Sequence, residues 1–369
     1  MRVQVQSNKM ISTVSFTAVG CSYIVYSGKK KILTVKQNES VKIRSVEDFI
    51  NLSSSRKKYG RFTKLKFAGK NNNASFLLKV TDTASEGISY YDHLQITAKE
   101  QSLRFINVID LEKYVEGTVA AEGGNNAAAE FYKVQSIICR TYALGHLKRH
   151  ADEGFNLCDQ VHCQAYNGIW MNNRTLNDAV IATKNKIIVD SILEIIIAAY
   201  HSNCGGQTAA AEDVWSKPLP YLQSVQDPFC CNGLHAVWEQ KISLTDWLDY
   251  LKKKNLLSAF TDVAIICDTT FCCFPVKRKA LFSLANSALA MRTIRDDWKF
   301  KSAYFTINQV GDTLIFNGRG YGHGVGLCQE GVMQMAKLGY SFEDIINFYY
   351  RNVSIVDADL FSFLNLGFK

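Results

Sequence analysis

The sequence predicts an α+β fold, with a mixed sheet in its main domain and a β-rich domain at its N-terminus. Residues 1–95 carry short alternating segments that are separated by turn-forming residues, as strands are. After residue 97, helical segments appear in groups and do not alternate regularly with strands, which disfavours a doubly wound sheet. We therefore predict a β-rich domain over residues 1–96 and a second domain over residues 97–369.

The N-terminal strands are predicted from the alternation of apolar and polar residues. Turn-rich pieces such as KNNNAS separate them. The predicted strands are RVQVQS, TVSFTAV, SYIVYS, KKILTV, SVKIRS, KLKFAG and SFLLKV.

The strongest predicted helix follows the pair Asn125–Asn126, one of which we expect to be its N-cap. Phe131, Val134, Ile138 and Tyr142 recur at helical spacing within it. Lys148, Arg149 and His150 suit the negative C-terminal end of such a helix.

The C-terminal half mixes strands and helices. The segments KIIVD and ILEIIIAAYHSN are interpreted as strands, and Ile192–Tyr200 as a buried one because it is short and rich in β-branched residues. TDWLDYLKKKN predicts a helix capped by Thr245. A hairpin should follow over SAYFTINQVGDTLIFNG, then a helix closed by Gly339, and a last helix that opens with Ser341 and Asp344 as a capping box.

Composition limits the class of protein. The chain has 369 residues, of which 47% are hydrophobic, so a globular fold is expected. Its 42 basic and 34 acidic residues give a net charge of +8, which favours an anionic partner. No nucleic-acid motif, membrane-spanning run or signal-peptide core is visible, so either the protein is cytosolic or an export signal is missing from the sequence.

A glycine-rich segment, GRGYGHGVGLCQEG, spans Gly318–Gly331 between a predicted strand and a predicted helix. This is the setting of a phosphate-binding loop, but neither the dinucleotide nor the Walker spacing is present. One interpretation is a turn that closes a hairpin onto a helix. The other is a tight loop at a binding site, where His323 and Gln329 donate or accept hydrogen bonds and Tyr321 offers an apolar face.

Glu122 lies in GTVAAEGGNN, before the predicted helix cap. We expect it near a helix N-terminus, which favours its charged form, whereas burial among apolar neighbours would favour the neutral form. An ordinary surface glutamate is the alternative.

The chain has eleven cysteines, an odd number, so at least one has no partner within the chain. Cys158, His162 and Cys163 lie close together in one loop, and His150 lies shortly before them. Two thiolates and two imidazoles fit a closed, structural zinc site, while a disulfide or free thiols are the alternatives. The partners of Cys230–Cys231 and of Cys272–Cys273 cannot be deduced.

His201 and Ser202 are adjacent in AYHSNCGGQTAAAEDVW. Neighbouring residues of a strand point to opposite faces, and no nucleophile-elbow motif is present. A serine-hydrolase triad is therefore disfavoured.

Together these stretches resemble the stage II sporulation protein D (SpoIID/LytB) family. The resemblance covers roughly residues 97–356 and rests on motifs that follow in the same order. These motifs are YVEGTVAAE with KVQSIICRTYAL, then CDQVHCQAY, then HSNCGGQTAAAEDVW with PYLQSV, and finally GRGYGHGVGLCQEGVMQMAKLGYSFEDIINFYY.

The best-known members of this family are lytic transglycosylases, which cut peptidoglycan glycan strands that lack stem peptides and leave 1,6-anhydro-muramic ends. The resemblance implies that Glu122 is the catalytic glutamate, at the end of a motif that begins at Tyr114, with Glu116 as the rival acid. A single carboxyl group can serve as acid and then base when the substrate's own C6 hydroxyl is the nucleophile, provided that it starts protonated.

The resemblance also implies a glycan-binding surface. We expect Arg140 to bind a lactyl carboxylate, Tyr321 to stack on a sugar, and the glycine loop to lie close to the glycan. The expected substrate-binding residues are Arg140, His201, Ser202, Glu212, Gly320, Tyr321, His323 and Gln329.

Some family members carry a zinc site like the loop described above, so the resemblance implies structural zinc on His150, Cys158, His162 and Cys163, with His146 as the substitute for His150. No organic cofactor is expected. The substrate implies an extracytoplasmic location. The sequence departs from the family in GGNN after Glu122, in Tyr321 and in Cys328. The alternative functions are a non-catalytic, glycan-binding modifier of a cell-wall amidase and a hydrolysing glycosidase.

Overall fold

The computed structural model describes residues 1–72, 74–81, 86–124, 126–169, 173–257, 278–284 and 287–363. The chain forms two compact units, which consist of Met1–Ile187 with Asp357–Lys369, and of Ile188–Val356. They are called unit 1 and unit 2 below. A functional division between residues 96 and 97 stays a prediction.

Two sheets form the β-rich part of unit 1. The first has the order β13-β1-β12-β11-β8-β3-β4, and the second has the order β10-β9-β2-β5-β6-β7. Their strands are β1 (Arg2–Val5), β2 (Thr13–Ala18), β3 (Tyr23–Ser27), β4 (Lys30–Val35), β5 (Ser40–Val46), β6 (Phe49–Ser53), β7 (Lys58–Phe62), β8 (Lys64–Gly69), β9 (Ser75–Val80), β10 (Ile88–Tyr91), β11 (His93–Lys99), β12 (Ser102–Val108) and β13 (Leu157–Cys158).

The two sheets pack through an aromatic core. Phe16 of β2 lies with its ring centroid 4.4 Å from that of Phe67 on β8 and 5.2 Å from that of Phe76 on β9. All three side chains are fully buried. Strands such as β5 and β8 alternate between buried and exposed residues, as predicted, whereas burial in β4 does not alternate.

Helices cover the remainder of unit 1. They are α1 (Leu111–Gly123), α2 (Ala129–Gly145), a 3-10 helix (Ala151–Glu153), α3 (Arg174–Ala182) and, near the C-terminus, α9 (Ala358–Phe363). The predicted asparagine cap of α2 is wrong for Asn126, since Ala128 is the N-cap and makes no side-chain capping bond. Asn125 lies outside the described residues.

Unit 2 is built around a small antiparallel sheet of order β16-β20-β19, with β19 and β20 as the predicted hairpin. Its strands are β15 (Tyr200–His201), β16 (Val237–Ser243), β17 (Leu281–Leu284), β18 (Ser287–Ala290), β19 (Phe305–Val310), β20 (Thr313–Arg319) and β21 (Leu327–Cys328). Its helices are α4 (Ala211–Trp215), a 3-10 helix (Pro228–Cys230), α5 (Leu244–Lys253), α6 (Met291–Trp298), α7 (Gln329–Lys337) and α8 (Phe342–Tyr349). β14 (Lys186–Val189) and β22 (Ser354–Asp357) contain the unit boundaries.

Two local predictions in unit 2 are wrong. Ile192–Tyr200 is not a buried strand, because the Asp190 carboxylate accepts the amide hydrogens of Ile192 and Glu194 and forms a turn that leaves Ile192 exposed. Helix α5 begins after Ser243 rather than Thr245, because the Ser243 hydroxyl accepts from the amide of Asp246.

Other predictions are confirmed. The Ser341–Asp344 capping box opens α8, and Gly339, with a φ of 88°, follows the end of α7. The fold class is α+β, as predicted. Across the described residues, we find no helix that is both long and apolar enough to cross a membrane.

Candidate functional site

Glu122 lies in the last turn of α1, half-buried, one residue before the helix ends at Gly123. Gly124 ends the helix with a φ of 66°, a backbone conformation that favours glycine. The expectation that Glu122 lies near a helix N-terminus is therefore wrong. The C-terminal end of a helix carries partial negative charge, which disfavours a carboxylate.

The Glu122 carboxyl group is held by a backbone amide. Ala165 N donates to Glu122 Oε1 over 2.8 Å. Eight residues before Glu122 in the same motif, the hydroxyl of the fully buried Tyr114 donates over 3.2 Å to Oε1 of Gln164, the neighbour of Ala165. Tyr114 and Glu122, the first and last residues of the Y-x-x-G-x-V-x-x-E motif, therefore form hydrogen bonds with consecutive residues of one loop.

Gly117, in the middle of the motif, lets that loop approach. A side-chain carbon at Gly117 would lie 2.5 Å from the carbonyl oxygen of Gly168 and 2.6 Å from the Tyr166 ring. Only glycine leaves room for this contact, so the motif's glycine serves the packing of α1 against residues 165–168.

The same loop begins at the predicted zinc ligands. The donor atoms of His150, Cys158, His162 and Cys163 all lie within 4.8 Å of one another. Cys163 Sγ lies 3.4 Å from His150 Nε2 and 3.7 Å from His162 Nδ1. Ligands that bind one zinc ion tetrahedrally at bond lengths of about 2.0–2.3 Å lie about 3.3–3.8 Å apart, so these residues fit a zinc ion.

The tautomer of His150 also fits metal binding. Its Nδ1 lies 2.7 Å from Glu153 Oε1, and because a carboxylate only accepts, Nδ1 must donate. This leaves Nε2, the nitrogen that faces Cys163, as the ligand atom, in the carboxylate–histidine arrangement common around zinc. His146 instead directs Nδ1 at the Tyr142 carbonyl oxygen, 2.8 Å away, and is not in the group.

The cluster is joined to the first sheet. Cys158 ends β13, which pairs in parallel with β1. The next residue, Asp159, accepts from the backbone amides of Gln6 and Ser7, at 2.6 and 3.2 Å. Hydrogen bonds therefore hold this loop at two places, to the backbone that follows β1 and to Glu122, and the Cys/His cluster lies between them.

Two other charged residues of the motif region have different surroundings. Arg140 is fully buried, and its guanidinium pairs with both oxygens of Glu112, at 2.8 and 2.6 Å, and with the Lys186 carbonyl at 3.0 Å. These partners join α2 to α1 and to β14, and they give no support to Arg140 as a carboxylate-binding residue. For Glu116, the rival acid, burial raises the pKa.

The glycine loop of unit 2 packs against residues 199–205. A side-chain carbon at Gly320, where φ is 79°, would lie 2.5 Å from the Asn203 carbonyl oxygen, and one at Gly318 would overlap the Trp238 ring. The space that side chains would occupy is therefore filled by the protein. Internal packing explains these glycines. They give no support to the expectation that the loop backbone is exposed so that a glycan can lie close to it.

The remaining predicted binding residues are divided between core and surface. His201 and Gln329 are buried, Ser202 is half-buried, and Glu212 and Tyr321 are exposed. His201 Nδ1 lies 3.2 Å from the Val325 carbonyl oxygen, and its ring centroid lies 5.4 Å from that of His323.

His323 reaches a cationic cavity within unit 2. Its Nδ1 accepts from the Val325 amide over 3.0 Å, and burial, followed by the charge of Arg295, lowers its pKa to about 4. The cavity is also lined by Arg278, Arg292 and Arg295. In the described part of the chain, the buried Nε atoms of Arg278 and Arg295 have no hydrogen-bond partner. Asp213 also lines the cavity, and Asp296 pairs with Arg292 and Arg295 at 3.4 and 3.6 Å, so acidic groups offset part of its positive charge.

Sequence reasoning missed two groups. The first group is the arginines of this cavity, which belong to no sequence motif that would have indicated them. A second cluster, formed by Cys204, Asp227, Cys230 and Cys328, was also missed because its members are far apart in the chain. Two features of the sequence could have indicated this cluster. They are Cys328, which departs from the family pattern, and the short spacing between Asp227 and Cys230, with two residues between them.

Comparison with known proteins agrees with the motifs. Residues 99–189 match the SpoIID family, stage II sporulation protein. Stage II sporulation protein D of Bacillus subtilis is 30% identical over 268 residues, which are 69% of this chain and 76% of that protein. An uncharacterized protein of Brachyspira hyodysenteriae is 31% identical over 73% of each chain.

A further relative, the amidase enhancer of Bacillus subtilis, is 26% identical over 65% of this chain and 40% of its own length. The motif that ends at Glu122 and the Cys/His loop that supports it lie within the matched residues 99–189. The match and the extended identity to the Bacillus subtilis protein establish that the chain belongs to the stage II sporulation protein D family.

Proposed function

We propose that this protein is a lytic transglycosylase that cuts peptidoglycan glycan strands lacking stem peptides, with Glu122 as the acid and then the base. The observation that carries the proposal is the hydrogen bond from Ala165 N to Glu122 Oε1. It fixes one carboxyl group at the end of the family motif, with a defined orientation.

That hydrogen bond bears on the position of the proton. Oε1 accepts from an amide N–H, so in the neutral starting state of this proposal we expect the acidic proton of Glu122 on Oε2. Oε2 donates this proton to the oxygen that leaves as the bond to C1 of the muramic residue breaks. The carboxylate then takes the proton of the C6 hydroxyl as O6 bonds to C1. No water is consumed, and Glu122 ends protonated as it began.

Two features support a neutral starting state. Glu122 is half-buried, and it lies at the negative end of α1. The zinc site, when filled, would supply structure rather than chemistry, since four protein ligands leave no open position. Its ligands His150, Cys158, His162 and Cys163 would hold the loop that carries Ala165.

The cationic cavity of unit 2 supports an anionic glycan. Strands without stem peptides expose one lactyl carboxylate on each muramic acid. Arg278, Arg292 and Arg295 offer guanidinium groups for a carboxylate, which would compete with Asp296, the present partner of Arg292 and Arg295. We assign the carboxylate-binding role to this cavity in place of Arg140. His323 lines it, while the exposed Tyr321 stays the proposed stacking platform, and His201, Ser202, Glu212, Gly320 and Gln329 stay proposed contacts or supports of the glycine loop.

The activity is tested by digestion of purified glycan strands with and without stem peptides, followed by mass spectrometry of the products. We expect 1,6-anhydro ends only from the strands without peptides. Reducing ends would identify a hydrolase, and the absence of any cleavage would refute the enzyme proposal.

The relative named amidase enhancer favours one alternative, a glycan-binding protein that increases the activity of a cell-wall amidase. In that case the protein would bind glycan strands without cutting them, and an added amidase would work faster in its presence. A Glu122→Gln variant separates the two functions, because it should retain amidase stimulation and lose cleavage. Either function places the protein at the cell wall, outside the cytoplasm.

A further inference from the structure

Four buried side chains converge in unit 2, well apart in sequence from the Cys/His loop of unit 1. They are Cys204, Asp227, Cys230 and Cys328, and each residue is 0% exposed. One donor atom from each lies within 4.8 Å of the others. The group combines three soft sulfur ligands with one carboxylate, and zinc binds both ligand types.

Three separate segments supply these ligands. Cys204 follows β15, and Cys328 ends β21, which pairs in parallel with β15. Asp227 caps the 3-10 helix Pro228–Cys230, and Cys230 is the last residue of that helix. The parallel pairing brings the first two ligands together, and the short helix presents the other two from one turn.

The distances suit a single ion. Cys204 Sγ lies 3.4 Å from Cys230 Sγ and 3.2 Å from Asp227 Oδ2. Two sulfur ligands of one zinc ion lie about 3.8 Å apart when the Zn–S bonds are about 2.3 Å long. An iron–sulfur cluster is disfavoured, because it spreads its protein ligands over two or more iron atoms, whereas these four donor atoms all lie within 4.8 Å of one another.

Backbone amides point at the sulfur atoms. Cys204 N and Gly331 N donate to Cys328 Sγ at 3.3 and 3.4 Å, and Gly206 N donates to Cys230 Sγ at 3.3 Å. A neutral thiol is a weak acceptor, whereas a thiolate, the metal-binding form, is a strong one. Three N–H donors on two sulfurs therefore fit metal-bound thiolates.

The carboxylate is oriented in the same way. Asp227 Oδ2 accepts from the Tyr349 hydroxyl over 2.9 Å, and Oδ1 accepts from the Phe229 amide over 2.9 Å. Gly331 is required at this point, since a side-chain carbon there would lie 2.5 Å from Asp227 Oδ2. Outer partners that fix ligand orientation are a regular feature of metal sites.

A disulfide explains the group less well. It would use only two of the three cysteines and would not account for the buried Asp227 carboxylate beside the third thiol. A divalent ion accounts for all four ligands at once. A guanidinium also lies close by, because Arg278 Nη2 donates to the Cys204 carbonyl oxygen over 3.0 Å.

We propose that Cys204, Asp227, Cys230 and Cys328 bind one structural zinc ion, in addition to the ion proposed for unit 1. Four protein ligands close the site, so its role is to join chain segments. Cys204 lies in residues 199–205, against which the glycine loop packs, and Cys328 lies near the end of that loop. Gly320 of the loop packs on Asn203, the chain neighbour of Cys204. The ion would hold the base of that loop. The proposal does not depend on the catalytic activity.

The test is the zinc content of the full-length protein, purified without added metal and measured by elemental analysis. We expect about two zinc ions per wild-type chain, one in Cys163→Ser, one in Cys230→Ser and almost none in the double variant. Cys231→Ser is the matched control. Its thiol is the chain neighbour of Cys230 but is exposed and outside the group, so this variant should hold two ions.

Equal zinc in Cys230→Ser and wild type would overturn the proposal, as would a Cys204–Cys230 disulfide in peptide maps of the wild-type protein. If Cys230→Ser does not fold, Cys163→Ser reconstituted with Co²⁺ gives the answer. The proposal expects one ion with the charge-transfer absorption of cobalt bound by thiolates, and the absence of that absorption would refute it.

Discussion

Ala165 N donates to Glu122 Oε1 over 2.8 Å, and Ala165 comes two residues after Cys163. A cluster of metal-ligand residues and the proposed catalytic carboxyl group are therefore separated by a single short piece of chain. The position of Glu122 Oε1 depends on where that piece begins, so a zinc ion bound by these residues would help to position the proposed acid.

This relationship predicts the effect of Cys158→Ser. Loss of one thiolate should remove one zinc ion per chain, lower the stability of unit 1 and reduce glycan cleavage, because the loop that orients Glu122 loses a fixed point. Elemental analysis, thermal unfolding and the cleavage assay measure the three effects. Cys21→Ser, a buried thiol outside both clusters, is the control. Unchanged zinc in Cys158→Ser would exclude the site.

Gly117→Ala tests the same coupling from the side of the helix. The added methyl group would collide with Gly168 O and the Tyr166 ring and push the loop away from α1. We expect a loss of stability of about 1–3 kcal/mol, and a fall in cleavage rate under conditions where the variant is fully folded.

Gly154→Ala is the control for that variant. A side-chain carbon at Gly154 would meet nothing within 4 Å, although its φ is 82°. It should cost about 1–2 kcal/mol through backbone strain and leave cleavage unchanged. Equal cleavage by Gly117→Ala and Gly154→Ala would contradict the coupling.

Arg140→Gln separates folding from binding. Removal of this guanidinium would leave the Glu112 carboxylate partly buried without its partner, so we expect a loss of about 3–5 kcal/mol in the free energy of unfolding. Replacement of both partners, as in Glu112→Gln with Arg140→Gln, should cost less than the sum of the single changes. A stable Arg140→Gln variant with a raised KM for glycan would instead restore its role as a binding residue.

The low pKa of His323 predicts a pH dependence of stability. At pH 5–6 the folded state keeps His323 neutral, because its pKa is about 4, while the unfolded chain binds a proton near its ordinary pKa of about 6.5. Unfolding therefore takes up a proton. The contribution of His323 to stability is complete above pH 6.5 and is lost as the pH falls towards 4.

Denaturant unfolding of the wild type and of His323→Asn at several pH values measures this effect. The Asn side chain keeps an acceptor for the Val325 amide but does not titrate, so its stability should fall less between pH 6.5 and 4. A residual slope is expected from His201, whose pKa burial also lowers. Identical slopes would show that His323 does not titrate in this way.

The sequence was sufficient where local patterns determine local structure. Alternation identified strands such as β2 and β5, because it reflects one buried face. Helical spacing identified α2, although this helix is buried on nearly all sides. It failed at Ile192–Tyr200, where apolar composition favoured a strand but the Asp190 carboxylate formed a turn. Composition does not record such a side-chain capping bond.

The parts of the candidate site that were predicted lie close together in the sequence. The parts that were missed depend on contacts between residues that are far apart in the chain. His150, Cys158, His162 and Cys163 were found because one loop carries them all. The pairing of Arg140 was not predicted, because its bidentate partner, Glu112, lies on another helix. The group of Cys204, Asp227, Cys230 and Cys328 forms only after β15 and β21 pair, so no local spacing shows it.

The central claim is that Glu122 supplies the only carboxyl group needed for cleavage. It is tested most directly by Glu122→Gln, with Glu116→Gln, the other acid of the same motif, as its matched control, on glycan strands without stem peptides. We expect the yield of 1,6-anhydro ends to fall at least about 100-fold in Glu122→Gln and to stay near wild type in Glu116→Gln. An undiminished yield from a folded Glu122→Gln protein would contradict the account.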